Sequence, residues 1–287
     1  WGIRGDAANR TRARTRCPRG FRQSRTFLFF LRIIVLALCV LGPASAVWAQ
    51  TREAQVAGQF YPDQPQALRQ MVVRLLEQVP APDPSAPKPR LLILPHAGYP
   101  YSGLVAAYGF RQLQGRSYDA VVVVGFLHRP TVSGVSVDDA EAYQTPLGTI
   151  PVDREAVDRL QQEPGSGYTE SAHTSGEHSL EVMLPFLQVA LGEFRLVPVL
   201  IGASRTRDVE ALAQALAELA RHGDYLFVFS TDLSHYHPYD DAVSRDRRTV
   251  NAIVSETAQA VDRLFQSQNV EACGYGPIVT SLLLAQR

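Results

Sequence analysis

The chain has 287 residues, of which 46% are hydrophobic and 20% charged, with a formal net charge of zero. This composition belongs to a globular protein with a sizeable core, one large α/β domain or two small ones, and excludes a disordered or low-complexity chain. The zero is uneven. Residues 1–49 hold nine arginines against one acid, Asp6, so the rest keeps 27 of the 28 acids and 19 of the 28 bases. A net acidic body argues against a nucleic-acid partner.

The arginine-rich start is followed by the apolar run Phe27–Leu41, broken by Arg32, and then by Pro43-Ala-Ser-Ala-Val-Trp-Ala49. A basic region, a short apolar region and a small-residue site read as a secretory signal peptide or an uncleaved anchor. The apolar run is short for a spanning helix, so any membrane attachment is expected through this segment alone. Cleavage is expected after Val47-Trp48-Ala49, with Ala44-Ser-Ala46 second. An exported, extracytoplasmic protein follows if the signal is real, and a cytoplasmic one otherwise. Of Cys17, Cys39 and Cys273, the last alone would survive cleavage, which rules out an internal disulfide.

Residues 50–287 read as one α/β domain. Gln50–Asp63 is a polar entry segment with a Phe60-Tyr-Pro-Asp turn. Leu68, Met71, Val72, Leu75 and Leu76 recur at helical spacing within Gln64–Gln78. Val79–Lys88 is a proline-rich connector, and Arg90–Leu94 the first core strand. Gly103–Leu113 is a predicted helix with Ser102 as its N-cap. Ala120–Val124, an alanine and four valines, suits a central parallel strand buried on both faces. Gly134–Gly148 predicts one or two strands, with a hairpin as one form, and Asp153–Gln161 a helix capped by Asp153. Glu163–Glu177 reads as a long loop. Ser179–Leu191 is predicted helical despite Pro185, with Glu177 and Glu181 sharing a face. Arg195–Ile201 is a strand, placed at an edge or kinked because of Pro198. Thr206–His222 is an amphipathic helix, Tyr225–Ser230 a third apolar strand, Asp240–Leu264 a helix, and Gly276–Ala285 the start of another. The chain stops within that helical pattern at Arg287, which reads as a truncated C-terminus. Strands alternating with helices give an α/β class with a largely parallel sheet.

Three apolar strands run into polar clusters. Leu91–Leu94 leads to His96, Val121–Val124 to Gly125-Phe-Leu-His128, and Leu226–Phe229 to Ser230-Thr-Asp232-Leu-Ser-His235-Tyr-His237. Parallel neighbours put their C-terminal ends on one edge, so the clusters converge if these strands are neighbours. Histidines gathered from separate strands are what a metal site needs, and imidazole suits iron, copper, zinc and nickel. Cys273, in Glu271-Ala-Cys-Gly-Tyr-Gly-Pro277 ahead of a helix, is placed for easy ionisation, as a ligand, a nucleophile or a small buried residue. His178 reads as structural, with support of the site as the alternative. His173 is a candidate lid residue, and His222 a surface residue at a helix end. The chain has no GxSxG, Walker A, GxGxxG, CxxC or HExxH pattern, which argues against serine hydrolases, P-loop enzymes, dinucleotide enzymes and common zinc proteases.

Pro95-His96-Ala-Gly98-Tyr-Pro-Tyr-Ser-Gly103, Glu177-His178-Ser-Leu-Glu181-Val-Met-Leu-Pro185, Pro198-Val-Leu-Ile-Gly202, Ser230-Thr-Asp232-Leu-Ser-His235 and Cys273-Gly-Tyr-Gly-Pro277-Ile, in this order, resemble the Memo family (AmmeMemoRadiSam system protein B) from about Arg52 onward. The resemblance implies a fold like that of the class III extradiol (LigB-like) dioxygenases, which use non-heme iron. It implies that His96 and His128 match their two histidine ligands and that Cys273 takes the carboxylate's place. Asp232 and His235 match the remaining site residues, His235 standing where those enzymes keep an acid/base histidine. It implies iron or copper as the metal, and an AMMECR1-like domain and a radical SAM protein as partners by gene association.

Three functions compete. One is a mononuclear non-heme metal oxygenase or redox enzyme, with His96, His128 and Cys273 on the metal, His235 moving protons and Asp232 orienting it or joining the metal shell. The second is a metal-dependent adaptor whose groove is lined by Tyr99, Tyr101, Tyr236 and Tyr275. The third is a hydrolase using zinc, with Asp232 or His235 as base.

Overall fold

A computed structural model describes residues 50–128, 133–163, 166–167, 170–174, 176–202 and 206–287. The expected signal segment, 1–49, lies outside the described residues. Among the described residues nine strands follow in order: β1 (Thr51–Arg52), β2 (Leu91–Leu94), β3 (Ala120–Phe126), β4 (Val135–Val137), β5 (Ala142–Thr145), β6 (Gly148–Pro151), β7 (Ser166–Gly167), β8 (Leu196–Ile201) and β9 (Tyr225–Ser230). The helices are α1 (Pro65–Glu77), α2 (Tyr99–Arg111), α3 (Arg154–Gln161), α4 (Glu170–Thr174), α5 (Leu184–Leu191), α6 (Thr206–Leu219), α7 (Tyr239–Ser255), α8 (Ala258–Gln266) and α9 (Tyr275–Ala285).

The main sheet has the order β2-β9-β3-β8-β4-β7. Strands β2, β9, β3 and β8 are parallel, and β4 is antiparallel to β8. The middle strands are the apolar runs: every residue of β8 and β9, and β3 from Ala120 to Gly125, is buried. Strands sandwiched between helix layers need apolar side chains on both faces, and these runs supply them. Helices α1, α2 and α5 pack together, as do α6, α8 and α9, with α9 lying on β2, β9 and β3. A smaller sheet, β1-β5-β6, contains the expected hairpin, β5–β6, closed by Pro146-Leu147 between Thr145 and Gly148. Among the described residues no helix is long and apolar enough to cross a membrane.

Several boundaries differ from the sequence reading. Helix α2 starts at Tyr99, not after Ser102, because Pro100 fits a first helical turn; the Ser102 hydroxyl donates to the Ala97 carbonyl (2.8 Å) instead of capping. Pro198 lies inside the sheet, between β3 and β4, and not at an edge. Its carbonyl accepts from Asp138 N one residue past the end of β4, so the missing N–H falls where that ladder already stops. The span 240–264 is two helices, parted at Glu256-Thr257, where the Thr257 hydroxyl caps α8 by accepting from Ala260 N. The loop 163–177 contains β7 and α4. Asp153 does cap α3, accepting from Ala156 N (3.2 Å).

Candidate metal centre

The three strands with polar ends are adjacent, in the order β2, β9, β3. Leu94 pairs with Ser230, and Val124 with Phe229. His96, Asp232 and His128 each stand two residues beyond the end of their strand, so in-register strands deliver all three to one edge. His96 N and Ala97 N donate to Asp232 Oδ1 (2.8 and 3.2 Å), which ties two strand ends together.

Cys273 comes from the far end of the chain. Gly274 N donates to Thr231 Oγ1 (2.9 Å) and Cys273 N to the Asp232 carbonyl (3.1 Å). A Cβ at Gly274 would lie 2.6 Å from Thr231 Cβ, so glycine is what permits the approach. The thiol sulfur then sits 3.3 Å from His96 Nε2 and accepts from Asp232 N (3.2 Å). The donor atoms of His96, His128 and Cys273 all lie within 4.8 Å of one another, an arrangement able to hold a metal ion.

The hydrogen bonds assign the ring nitrogens. Ser230 Oγ gives its hydrogen to the Ser179 carbonyl (2.6 Å), so it accepts from His96 Nδ1–H (2.7 Å). Glu177 accepts from His128 Nδ1–H (3.0 Å). Both Nε2 atoms are thereby left on the thiol side, in the pattern that orients metal-bound histidines. Burial opposes charge on Cys273, yet the neighbouring rings of His128 and His96 outweigh it and bring the thiol down to about 6. Burial likewise opposes charge on His128, but its bonds to Cys273 and Glu177 prevail and raise it to about 10. Without a metal, the pair is a thiolate beside an imidazolium.

Glu177 is a partner that the sequence reading missed. Its side chain is 2% exposed. Its oxygens accept from the backbone N–H groups of His128, His178 and Ser179 (2.7–2.8 Å) as well as from the His128 ring. Burial opposes its ionisation, but these donors hold it down at about 2. His128, Glu177 and His178 also lie close enough to hold a metal ion, but the Glu177 lone pairs are already engaged by those donors. Glu177 and Glu181 do not share a helix face, because helix begins only at the 3₁₀ turn Glu181–Met183. Glu181 points elsewhere, accepting from Gln55 N, Val56 N and Tyr61 OH, and so fastens the entry segment. His178 stacks on His128 (4.5 Å between centroids) and meets Phe60 at a tilt (4.4 Å), and is kept neutral, down at about 4, chiefly by burial.

His235 follows on the same loop as Asp232. It is exposed, its N–H donates to Glu271 Oε1 (3.3 Å), and its ring sits 5.9 Å from that of Tyr236. Asp232 is central: beyond its bonds to the 96–97 backbone, Oδ2 is 3.8 Å from His96 Nε2. His173 is no lid. It is 3% exposed, held by Ser136 Oγ of β4 (3.1 Å) and Tyr143 OH of β5 (3.2 Å). The four tyrosines do not form a groove: Tyr99 is buried with its hydroxyl on the Val182 carbonyl, Tyr275 bonds Asp262, and Tyr101 and Tyr236 are exposed. Gly103, placed by its motif beside the site, instead lets α2 approach α1, since a Cβ there would lie 2.8 Å from Leu75 Cδ1.

The chain matches the profile of Memo-like proteins over residues 52–287. It is 35% identical over 246 residues to a MEMO1 family protein of Sulfolobus acidocaldarius, covering 81% of this chain and 86% of that one. Similar figures hold for a relative in Methanothermobacter thermautotrophicus (35% over 246 residues, 82% and 88%) and one in Thermotoga neapolitana (33% over 243 residues, 81% and 88%).

Proposed function

We propose a function from a plain premise: the chain belongs to the Memo-like protein family. In this reading His96 and His128, through Nε2, and Cys273, through Sγ, hold one iron or copper ion, and the protein is a non-heme redox or oxygenase-like enzyme. The observation that carries it is the pair of Nδ1 hydrogen bonds, to Ser230 and Glu177, that leaves both Nε2 atoms facing the thiol. Two imidazoles and a thiolate fit either metal. Bound there, the ion would supply electron-transfer or oxygen-activating chemistry, with thiolate donation making iron electron-rich.

The chain's own residues supply the rest. Ser230 and Glu177 keep the two rings in the binding tautomer. Asp232, with Oδ1 anchored by two N–H groups, offers Oδ2 beside His96 to orient a bound group or complete the ion's surroundings. His235 is assigned proton transfer on family likeness. An AMMECR1-like domain and a radical SAM protein are proposed partners on the same ground, and residues 1–49 are proposed to direct export.

Metal analysis of the purified chain together with oxygen uptake tests the reading. The expected result is about one iron or copper per chain, lowered markedly in Cys273→Ala. Unchanged metal content in that variant would remove Cys273 from the ligand set. Redox-silent zinc would favour hydrolysis, and a bound metal without turnover would favour the adaptor.

A further inference from the structure

Helix α2 has thirteen residues, Tyr-Pro-Tyr-Ser-Gly-Leu-Val-Ala-Ala-Tyr-Gly-Phe-Arg, and is apolar all round. Such a helix is normally covered on every side. Its inner face is: Ala106, Ala107 and Phe110 are in the core, and a Cβ at Gly109 would lie 2.4 Å from Leu94 Cδ2. Its outer face is bare. Tyr101, Leu104, Val105 and Tyr108 are 87, 43, 62 and 56% exposed. They stand at i, i+3, i+4 and i+7, so they form one continuous stripe.

The order of residues says what fits this stripe. From Tyr101 to Tyr108 the sequence is Tyr-Ser-Gly-Leu-Val-Ala-Ala-Tyr, which is palindromic in type about the Leu104–Val105 bond. Tyr101 mirrors Tyr108, Ser102 mirrors Ala107, Gly103 mirrors Ala106, and Leu104 mirrors Val105. Laid antiparallel on a second copy about that midpoint, the stripe sets ring against ring and aliphatic against aliphatic, so the face is complementary to itself. No charged side chain lies in the stripe to repel its twin, and antiparallel helix dipoles attract. A lipid surface fits less well, because membrane-seated helices carry lysines and arginines, and α2 has Arg111 alone, at its end.

We propose that this face is covered by a second copy of the chain, two α2 helices crossing antiparallel about the Leu104–Val105 midpoint. The proposal is independent of the metal reading. Sedimentation velocity on the full chain tests it, with the expected mass twice that of one chain. Leu104→Glu/Val105→Glu is expected to give monomers with unchanged circular dichroism and metal content. The pair Leu104→Lys/Val105→Glu is expected to restore the dimer, because antiparallel pairing brings each new cation opposite a new anion.

A wild-type chain that stays monomeric up to about 100 µM overturns the proposal. So does association that survives the double glutamate variant, or a charge-paired variant that remains monomeric. Monomeric wild-type chain that floats with phosphatidylcholine vesicles, and loses this in the double glutamate variant, would make the stripe a lipid surface and equally overturn it.

Discussion

Two histidines, His173 and His96, are almost wholly buried, at 3% and 0% exposure, yet they belong to clusters of opposite kinds. Around His173 the protein closes on itself. Arg52 donates to both oxygens of Asp138 (2.8 and 2.9 Å), Tyr143 OH donates to Asp138 Oδ2 (2.6 Å), and both nitrogens of His173 have partners in Ser136 and Tyr143. Around His96 each ring spends only Nδ1 on the scaffold, and the Nε2 atoms converge with a thiolate and a carboxylate oxygen. Burial alone does not distinguish structure from function. What does is whether the last lone pair is already spent.

If that distinction holds, damage to the closed cluster should cost stability and leave metal binding intact. Arg52→Met strands Asp138, 0% exposed, without its cation. Removing one partner of a buried pair typically costs about 3–5 kcal/mol. Urea denaturation should show a loss of that size, while metal content per folded chain stays unchanged. A loss under about 1 kcal/mol would mean that the cluster is not the brace its geometry describes.

Acid should act on the same cluster. Burial is the main cause that lowers His173 from 6.5 to about 4, against the pull of Asp138. A depressed histidine leaves stability undiminished above the unfolded value. Below 6.5 the unfolded chain takes up a proton that the native fold refuses until about pH 4, so stability falls across that window by at most about 3 kcal/mol. His173→Gln should flatten this part of the stability profile. A slope unchanged in the variant would assign the acid sensitivity to other groups.

Damage to the open cluster should do the reverse. Glu177→Gln keeps the shape but removes the charge that steadies His128, and loss of such a partner typically weakens metal affinity about 10–100-fold. Competition with a chelator reads this. Equal affinity in the variant would show that His128 needs no orienting carboxylate.

The two clusters also differ in how far they could be read from sequence. Strands β3 and β9 are plain in the sequence because unbroken apolar runs have few other uses, and the polar residues after them mark the edge where the candidate site lies. That β2, β9 and β3 are neighbours is a matter of chain order across the sheet, which periodicity does not carry. Its place before a helix makes Cys273 a candidate ligand, but family likeness alone joins it to His96 and His128, since its approach depends on Gly274 lying against Thr231, a contact 43 residues apart. Glu177 was misread because four-residue spacing to Glu181 looks helical; its own bonds to His178 N and Ser179 N hold the chain in a turn there. Glycine, serine and threonine around His173 give it the look of a loop residue, whereas its burial rests on Asp138 and Tyr143, remote in sequence and carrying no motif. Pro198 misled for a related reason: its missing N–H is harmless where β4 ends.

The mildest test concerns protons. With Cys273 down at about 6 and His128 up at about 10, the metal-free pair between these values keeps a proton on His128 Nε2 and none on the thiol. A metal must displace it. Affinity should therefore rise with pH, about tenfold per unit or about 1.4 kcal/mol, between about 6 and 10, more steeply below 6 where the thiol is also protonated, and level off above 10. Calorimetry in buffers of different ionisation enthalpy should register about one proton released near pH 8. Glu177→Gln removes a contact that raises His128, so levelling should begin at lower pH. Arg52→Met, acting on the closed cluster, should leave the profile where it is. Affinity that ignores pH across this window would mean that the bound ion does not engage His128, and the contrast between a spent and an unspent lone pair would fail at the residue on which it most depends.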